Sequence, residues 1–228
     1  MIRTILFDLD DTLLDFKASE ADALHETLRK IGLEPTKEII ARYSQINQRQ
    51  WELLEKKELT RAQVLVRRFE LLFAEYGIAY DAQAAQDMYH HRLSQGHYFL
   101  PGAVELLEEL SGQYELYIVS NGTGVVQDGR IKSSGIARYF KDIFISERMG
   151  ADKPDPVFFE NSFARIPHFN KEEAVIIGDS LTSDILGGNN VGVRTVWFNP
   201  RGLSAREGIC PDYEIHDLKD IPALLKTL

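Results

Sequence analysis

Two carboxylates stand two residues apart in the run Ile5-Leu6-Phe7-Asp8-Leu9-Asp10-Asp11-Thr12-Leu13. In extended chain Asp8 and Asp10 project to one side while Leu9 points to the other. Two acids facing one crevice repel unless a cation or a proton comes between them. The pair therefore asks for a metal, an acid/base role, or both. Taken alone, Asp-x-Asp reads better as a solvated turn after a strand, since short motifs match often by chance.

Three further segments carry chemically useful residues: Ser120-Asn121-Gly122, Lys153-Pro154-Asp155-Pro156 and Gly178-Asp179-Ser180-Leu181-Thr182-Ser183-Asp184. Each has a plainer reading. Asn-Gly suits a tight turn, Lys153 suits solvent, and Asp179 or Ser180 suits a helix N-cap. All four segments follow or lie close to short apolar runs. In this order, and at one end of one sheet, they are hard to attribute to turns and caps alone.

The elements that must position them follow from hydrophobic spacing. Ile2 to Phe7 is apolar enough to be a strand buried on both faces, as in parallel sheets. Further short strands are expected at Leu116–Val119, Ile143–Ile145, Val175–Ile177 and Arg194–Phe198, separated by helical stretches. That alternation predicts an α/β fold: a Rossmann-like three-layer core with a central parallel sheet. Between about Asp15 and Gln95 the pattern is helical throughout. Helices are expected at Ala18–Ile31, from Pro35 through Ile46, from Thr60 towards Tyr76, and at Ala82–Leu93. The first strand is thus separated from the rest of its sheet by a helical insertion.

With 228 residues the chain can bury a sizeable core, and its 44% hydrophobic and 27% charged residues are ordinary for a globular protein. The net charge of −9 argues against a nucleic-acid polymer or an anionic membrane as partner. It leaves room for a small phosphorylated ligand held by a local cation. Cys210 is the single cysteine, which excludes an intrachain disulfide and favours a reducing, cytoplasmic setting. It reads as an inert structural thiol. No signal-peptide pattern or membrane-length apolar run is expected from the sequence.

The four segments resemble the motifs of the haloacid dehalogenase-like (HAD) superfamily, specifically its phosphatases: Asp8-x-Asp10-x-Thr12, Ser120-Asn121-Gly122, Lys153-Pro154 and Gly178-Asp179-Ser180-x-x-x-Asp184. The resemblance implies a catalytic core of residues 1–15 and 98–228 and an α-helical cap of the C1 type at 16–97, which in the family closes over substrate. It implies hydrolysis of a phosphate monoester through an aspartyl-phosphate. Asp8 is then nucleophile and metal ligand, Asp179 a second ligand, and Asp10 a ligand through its backbone carbonyl. The side chain of Asp10 acts as general acid and then general base. Its presence separates phosphatases from the dehalogenase relatives. Lys153 balances charge and, with Ser120, Asn121, Gly122 and Thr12, serves the substrate. Thr12 is expected to orient Asp10 by a hydrogen bond. Asp184 is expected to anchor Lys153 or the water shell of the metal. Magnesium is the implied cofactor, being hard and oxygen-seeking.

The wider pattern is similar to the pyrimidine 5′-nucleotidase branch, on Phe7 to Asp15, Val119 to Gly122, and Gly178 to Ile185 with Gly187-Gly188. That implies a small nucleoside monophosphate such as UMP, dUMP or dTMP as substrate, with no obligate protein partner. Alternatives are a phosphatase for phosphoglycolate, sugar phosphates or a broad metabolite set, a β-phosphoglucomutase-like phosphotransferase, and, in a different class, a non-catalytic phospholigand sensor. Tyr43, Trp51, Tyr89, Tyr98 and Phe99 are candidates for stacking on a base or sugar, or else for packing the helices. His90 and His91 are read as solvated.

Overall fold

The computed structural model describes all 228 residues. The chain divides into two compact units, Met1–Asp15 with His97–Leu228, and Phe16–Gly96.

The first unit is built on a six-stranded sheet. Its strands are β1 (Thr4–Phe7), β2 (Glu115–Ser120), β3 (Asp142–Ile145), β4 (Ala174–Gly178), β5 (Arg194–Phe198) and β6 (Tyr213–Ile215). All pairings are parallel, in the order β3-β2-β1-β4-β5-β6. The chain moves outward in one direction through β2 and β3 and in the other through β4, β5 and β6. The order therefore reverses beside β1, and the crevice at the carboxyl ends there is where such sheets build sites.

Burial explains why β1 is apolar from Ile5 to Phe7. Ile5 and Phe7 join one core cluster with Leu107, Ile118, Val175 and Ile177. Leu6, between them, joins the opposite cluster with Tyr117, Val119, Phe144, Phe158 and Ile176. Alternate side chains thus fill two apolar layers, as a strand with both faces covered requires. The covering helices are α5 (Ala103–Ser111), α6 (Gly124–Ser134), α7 (Ser146–Met149), α8 (Pro156–Phe163), α9 (Leu186–Val191) and α10 (Ile221–Leu225), the labels α1 to α4 belonging to the second unit.

The second unit holds α1 (Phe16–Lys30), α2 (Lys37–Glu55), α3 (Arg61–Tyr76) and α4 (Ala82–Leu93). Thr60 and Gln63 form a reciprocal capping box at the start of α3, and Gly77 ends it with φ 65°. Tyr43, Phe69 and Tyr89 pack their rings 5.1 to 5.6 Å apart. Beside them Arg68 is buried. It donates to Asn47 Oδ1 at 2.8 Å and to Gln86 Oε1 at 2.7 Å, and lies 4.7 Å from the Tyr89 ring centre. Glu20, also buried, accepts from Asn47 Nδ2 at 2.6 Å and from Ser44. Each buried charge is thereby hydrogen-bonded, as burial demands.

Several expectations shift. The first strand begins at Thr4 instead of Ile2, and the edge strand β6 was not expected from sequence. Residue 60 caps its helix instead of belonging to it, and the second helix starts at Lys37 with Thr36 as cap. His90 is not solvated: its ring is largely buried, 3.4 Å from Arg68, whereas His91 is exposed. Cys210 is exposed. Tyr43 and Tyr89 are core residues, while Tyr98 is exposed. No helix is long and apolar enough to cross a membrane.

Candidate active site

The site lies where β1, β2 and β4 end. Asp8 is the first residue beyond β1, and its N–H continues the ladder to the Ile177 carbonyl at 2.9 Å. The chain then coils once, with Leu13 and Leu14 N–H both donating to the Leu9 carbonyl at 3.0 and 2.9 Å. Asp11 takes φ 56°, a left-handed turn that aspartate tolerates better than most residues. This coil returns Thr12 to the side of Asp8.

Lys153 reaches the same point from the loop between α7 and α8. It is fully buried, and its ammonium donates to Asp8 Oδ1 at 2.7 Å, Asp184 Oδ1 at 2.6 Å and the Val119 carbonyl at 2.8 Å. An ammonium has three protons, so every one is placed. Burial alone would lower the pKa of Lys153, but the Asp184 and Asp8 carboxylates hold it above its ordinary range. Asp8 moves the other way. Burial pushes it up to about 7, with Asp184 and Asp10 adding and Lys153 opposing. Asp179 is also held well above its ordinary range, first by burial and then by Asp8, Asp184 and Asp11.

The carboxylates of Asp8, Asp179 and Asp184 each bring an oxygen within 4.8 Å of the others. One lysine does not balance three such groups. The donor set is all hard oxygen, and the excess negative charge is what a divalent cation such as magnesium would relieve. The residues present therefore fit that ion.

Neighbouring groups hold these side chains in place. Asp184 sits in the π-helical turn Leu181–Ile185 and accepts from the Ser180 N–H at 3.1 Å through its second oxygen. A Cβ on Gly178 would lie 2.2 Å from that oxygen, so only glycine fits there. The Trp197 indole N–H donates to the Asp179 carbonyl at 2.9 Å.

Thr12 departs from expectation. Its hydroxyl donates to Asp8 Oδ2 at 3.3 Å and accepts from the Asp179 N–H at 3.1 Å. A hydroxyl has one proton, and here Asp8 receives it instead of Asp10. Asp10 is held by α6: Gln127 Nε2 donates to Oδ2 at 2.7 Å, and Arg130 bonds Oδ1. Ser120 Oγ accepts from the Gly122 N–H at 3.1 Å and from Gln127 Nε2 at 2.8 Å. The Asn121 side chain grips the Lys153 peptide from both sides, accepting from its N–H and donating to its carbonyl, each at 2.8 Å. Two bonded groups thus meet at these strand ends: Asp8, Thr12, Lys153, Asp184 and the Asp179 backbone in one, Asp10 and Ser120 through Gln127 in the other, with Asn121 and Gly122 on the loop after β2.

Sequence reasoning missed Gln127, Arg130 and Trp197. Gln127 and Arg130 lie three apart on α6, on the buried stripe that includes Val126 and Ile131. A charged residue on an apolar stripe was the available signal.

A parallel α/β sheet with a buried carboxylate–lysine cluster at its switch point defines a class of catalytic cores. The haloacid dehalogenase-like hydrolase family model matches residues 5–198. The chain belongs to that family. YfnB of Bacillus subtilis, a HAD hydrolase by its name, is 42% identical over 98% of this chain and 95% of its own length. Pyrimidine 5′-nucleotidase PynA of Streptococcus pneumoniae is 38% identical over 96% of this chain and 93% of its own. Pyrimidine 5′-nucleotidase YjjG of Escherichia coli is 28% identical over 97% and 96%. A crystal structure of YfnB, described as bound to magnesium and as revealing interdomain movement, superposes with a TM-score of 0.94 over 98% of both chains.

Proposed function

We propose that this chain is a magnesium-dependent phosphate monoester hydrolase working through an aspartyl-phosphate on Asp8, and that its substrates are pyrimidine nucleoside 5′-monophosphates such as UMP, dUMP and dTMP. The observation that carries the reading is Lys153, whose ammonium joins Asp8 to Asp184, with Asp10 close enough to Asp8 to raise its pKa. The substrate class is supported by the names of two full-length relatives, PynA and YjjG. In this reading residues 1–15 and 98–228 are the catalytic core and 16–97 the cap.

A phosphate dianion repels a carboxylate nucleophile, so attack needs cancelled charge. Lys153 supplies one positive charge. Asp8, Asp179 and the backbone carbonyl of Asp10 would hold magnesium, which when bound neutralises further charge on the phosphoryl group. Asp184 keeps Lys153 aimed. A carboxylate oxygen of Asp8 bonds to phosphorus as the ester P–O bond breaks, and Asp10 gives its proton to the departing oxygen. Water then attacks phosphorus and passes a proton to the Asp10 carboxylate. The P–O bond to Asp8 breaks, and inorganic phosphate leaves. Such a proton-transfer group contributes ~10²–10⁴-fold. Ser120 and the backbone N–H of Asn121 bind the phosphoryl oxygens.

The test is magnesium-dependent phosphate release from UMP, dUMP, dTMP, CMP, AMP, GMP, phosphoglycolate and hexose phosphates, with Asp8→Asn as control. Preference for uracil and thymine nucleotides is expected. Preference for a sugar phosphate or phosphoglycolate would overturn the substrate class, and no release from any would overturn the hydrolase reading.

A further inference from the structure

We infer that Gln127 and Arg130 are positioning residues that tie the proton-transfer carboxylate Asp10 to the phosphate-binding hydroxyl of Ser120. The inference rests on the phosphatase reading above and adds to it the device that aims two of its groups together.

The bonds form one chain. Arg130 NH1 reaches Asp10 Oδ1 and also Gln127 Oε1, the latter at 3.1 Å. This fixes the amide of Gln127, since its oxygen faces a guanidinium. Its Nε2 must then face Asp10 Oδ2 and Ser120 Oγ, at 2.7 and 2.8 Å. The reversed amide would set oxygen against carboxylate. Arg130 and Gln127 are both fully buried, while the Asp10 side chain keeps 27% of its surface exposed, so the two donors are held away from solvent and only their shared acceptor meets it.

The consequences differ for the two targets. Asp10 has each oxygen tied to a different donor, which fixes the plane of its carboxylate. Ser120 Oγ accepts two N–H bonds, from Gln127 and Gly122, which occupy both acceptor positions of a hydroxyl. Its one proton is left to donate, as binding a phosphoryl oxygen requires. Gly122 makes room: a Cβ there would lie 2.2 Å from Gln127 Nε2. Sub-ångström placement of reacting groups is worth orders of magnitude in rate. One amide thus sets the direction of proton transfer and the polarity of the phosphate-binding hydroxyl.

The test compares two leaving groups. Nitrophenolate departs from p-nitrophenyl phosphate without needing a proton, whereas the alkoxide from UMP, or from whichever alkyl phosphate the enzyme turns over, needs one. In Gln127→Met and Arg130→Met, kcat/KM for the alkyl ester is expected to fall about ten- to hundredfold further than for the aryl ester. In an Asp10→Asn background, Arg130→Met should change that ratio no further, because Arg130 acts through Asp10. Arg130→Lys, which keeps the charge, should fall between wild type and Arg130→Met, and it carries the comparison if Arg130→Met does not fold. Gln127→Met should also weaken inhibition by inorganic phosphate, through Ser120. Equal losses on both esters, or an Arg130 effect undiminished in Asp10→Asn, would overturn the inference. A wild-type protein that hydrolyses neither ester would instead overturn the phosphatase reading.

Discussion

Lys153 Nζ lies 2.6 Å from Asp184 Oδ1, and both side chains are 1% exposed. Asp8 shares the same ammonium at 2.7 Å. A buried lysine between two carboxylates is the charge centre of this site, and a third carboxylate, Asp179, completes the cluster. Lys153→Met removes the cation and leaves the acids facing one another. Breaking a buried ion pair from one side costs about 3–5 kcal/mol. We expect Lys153→Met to lose that order of stability in urea unfolding and to lose phosphate release altogether. Wild-type stability in this variant would contradict the electrostatic account.

Magnesium should stabilise the folded protein. A ligand at a hundredfold its dissociation constant adds about 2.7 kcal/mol. For a chain of this size that raises Tm by roughly 5–10 °C. Asp179→Asn should remove most of the shift. An undiminished shift in Asp179→Asn would place the ion elsewhere.

Thr12 links the two strand ends, donating to Asp8 and accepting from the Asp179 N–H. Thr12→Val keeps the shape but strands that part-buried N–H, at a cost of about 1 kcal/mol. Thr12→Ser keeps the hydroxyl and should melt close to wild type. Equal melting of the two variants would show that the hydroxyl does not matter.

Much of this was legible in the chain. The order of four polar segments after apolar runs pointed to one sheet edge, because parallel strands all end on the same side. Three things were not. β6 has one buried residue in Tyr213-Glu214-Ile215, so it carries no apolar run to read. The partner of Thr12 depends on how the loop coils, since Asp8 and Asp10 are both within reach in sequence. The shared partner of Gln127 and Arg130 was not legible either, since Asp10 lies 117 and 120 residues away in sequence. His90 and His91 show the same limit. Neighbours on a helix point about 100° apart, and only the buried face of α4, with Ala85, Gln86, Tyr89 and Leu93, decides which one turns inward.

His90 gives the helical unit a pH dependence. Burial, and then the nearby Arg68, lower its pKa from 6.5 to about 4, with Asp87 opposing. The unfolded chain therefore binds the proton more readily than the folded one. The contribution of neutral His90 to stability is full above about pH 6.5 and is lost as pH falls through about 4. Its slope in between is at most ~1.4 kcal/mol per pH unit. The urea midpoint should drop from pH 7 to pH 5, and the drop should shrink in His90→Gln. An equal drop in the variant would assign the dependence to other groups.

Covalent transfer of the phosphoryl group to Asp8 is the step on which the proposed hydrolysis turns. Acid quench of wild-type protein during steady-state turnover of UMP, followed by peptide mass spectrometry, should find phosphate on the peptide that carries Asp8. Asp8→Asn should bind UMP, release no phosphate and carry no modification. Steady phosphate release by wild type with Asp8 unmodified at every quench time, together with full turnover by Asp8→Asn, would contradict the account.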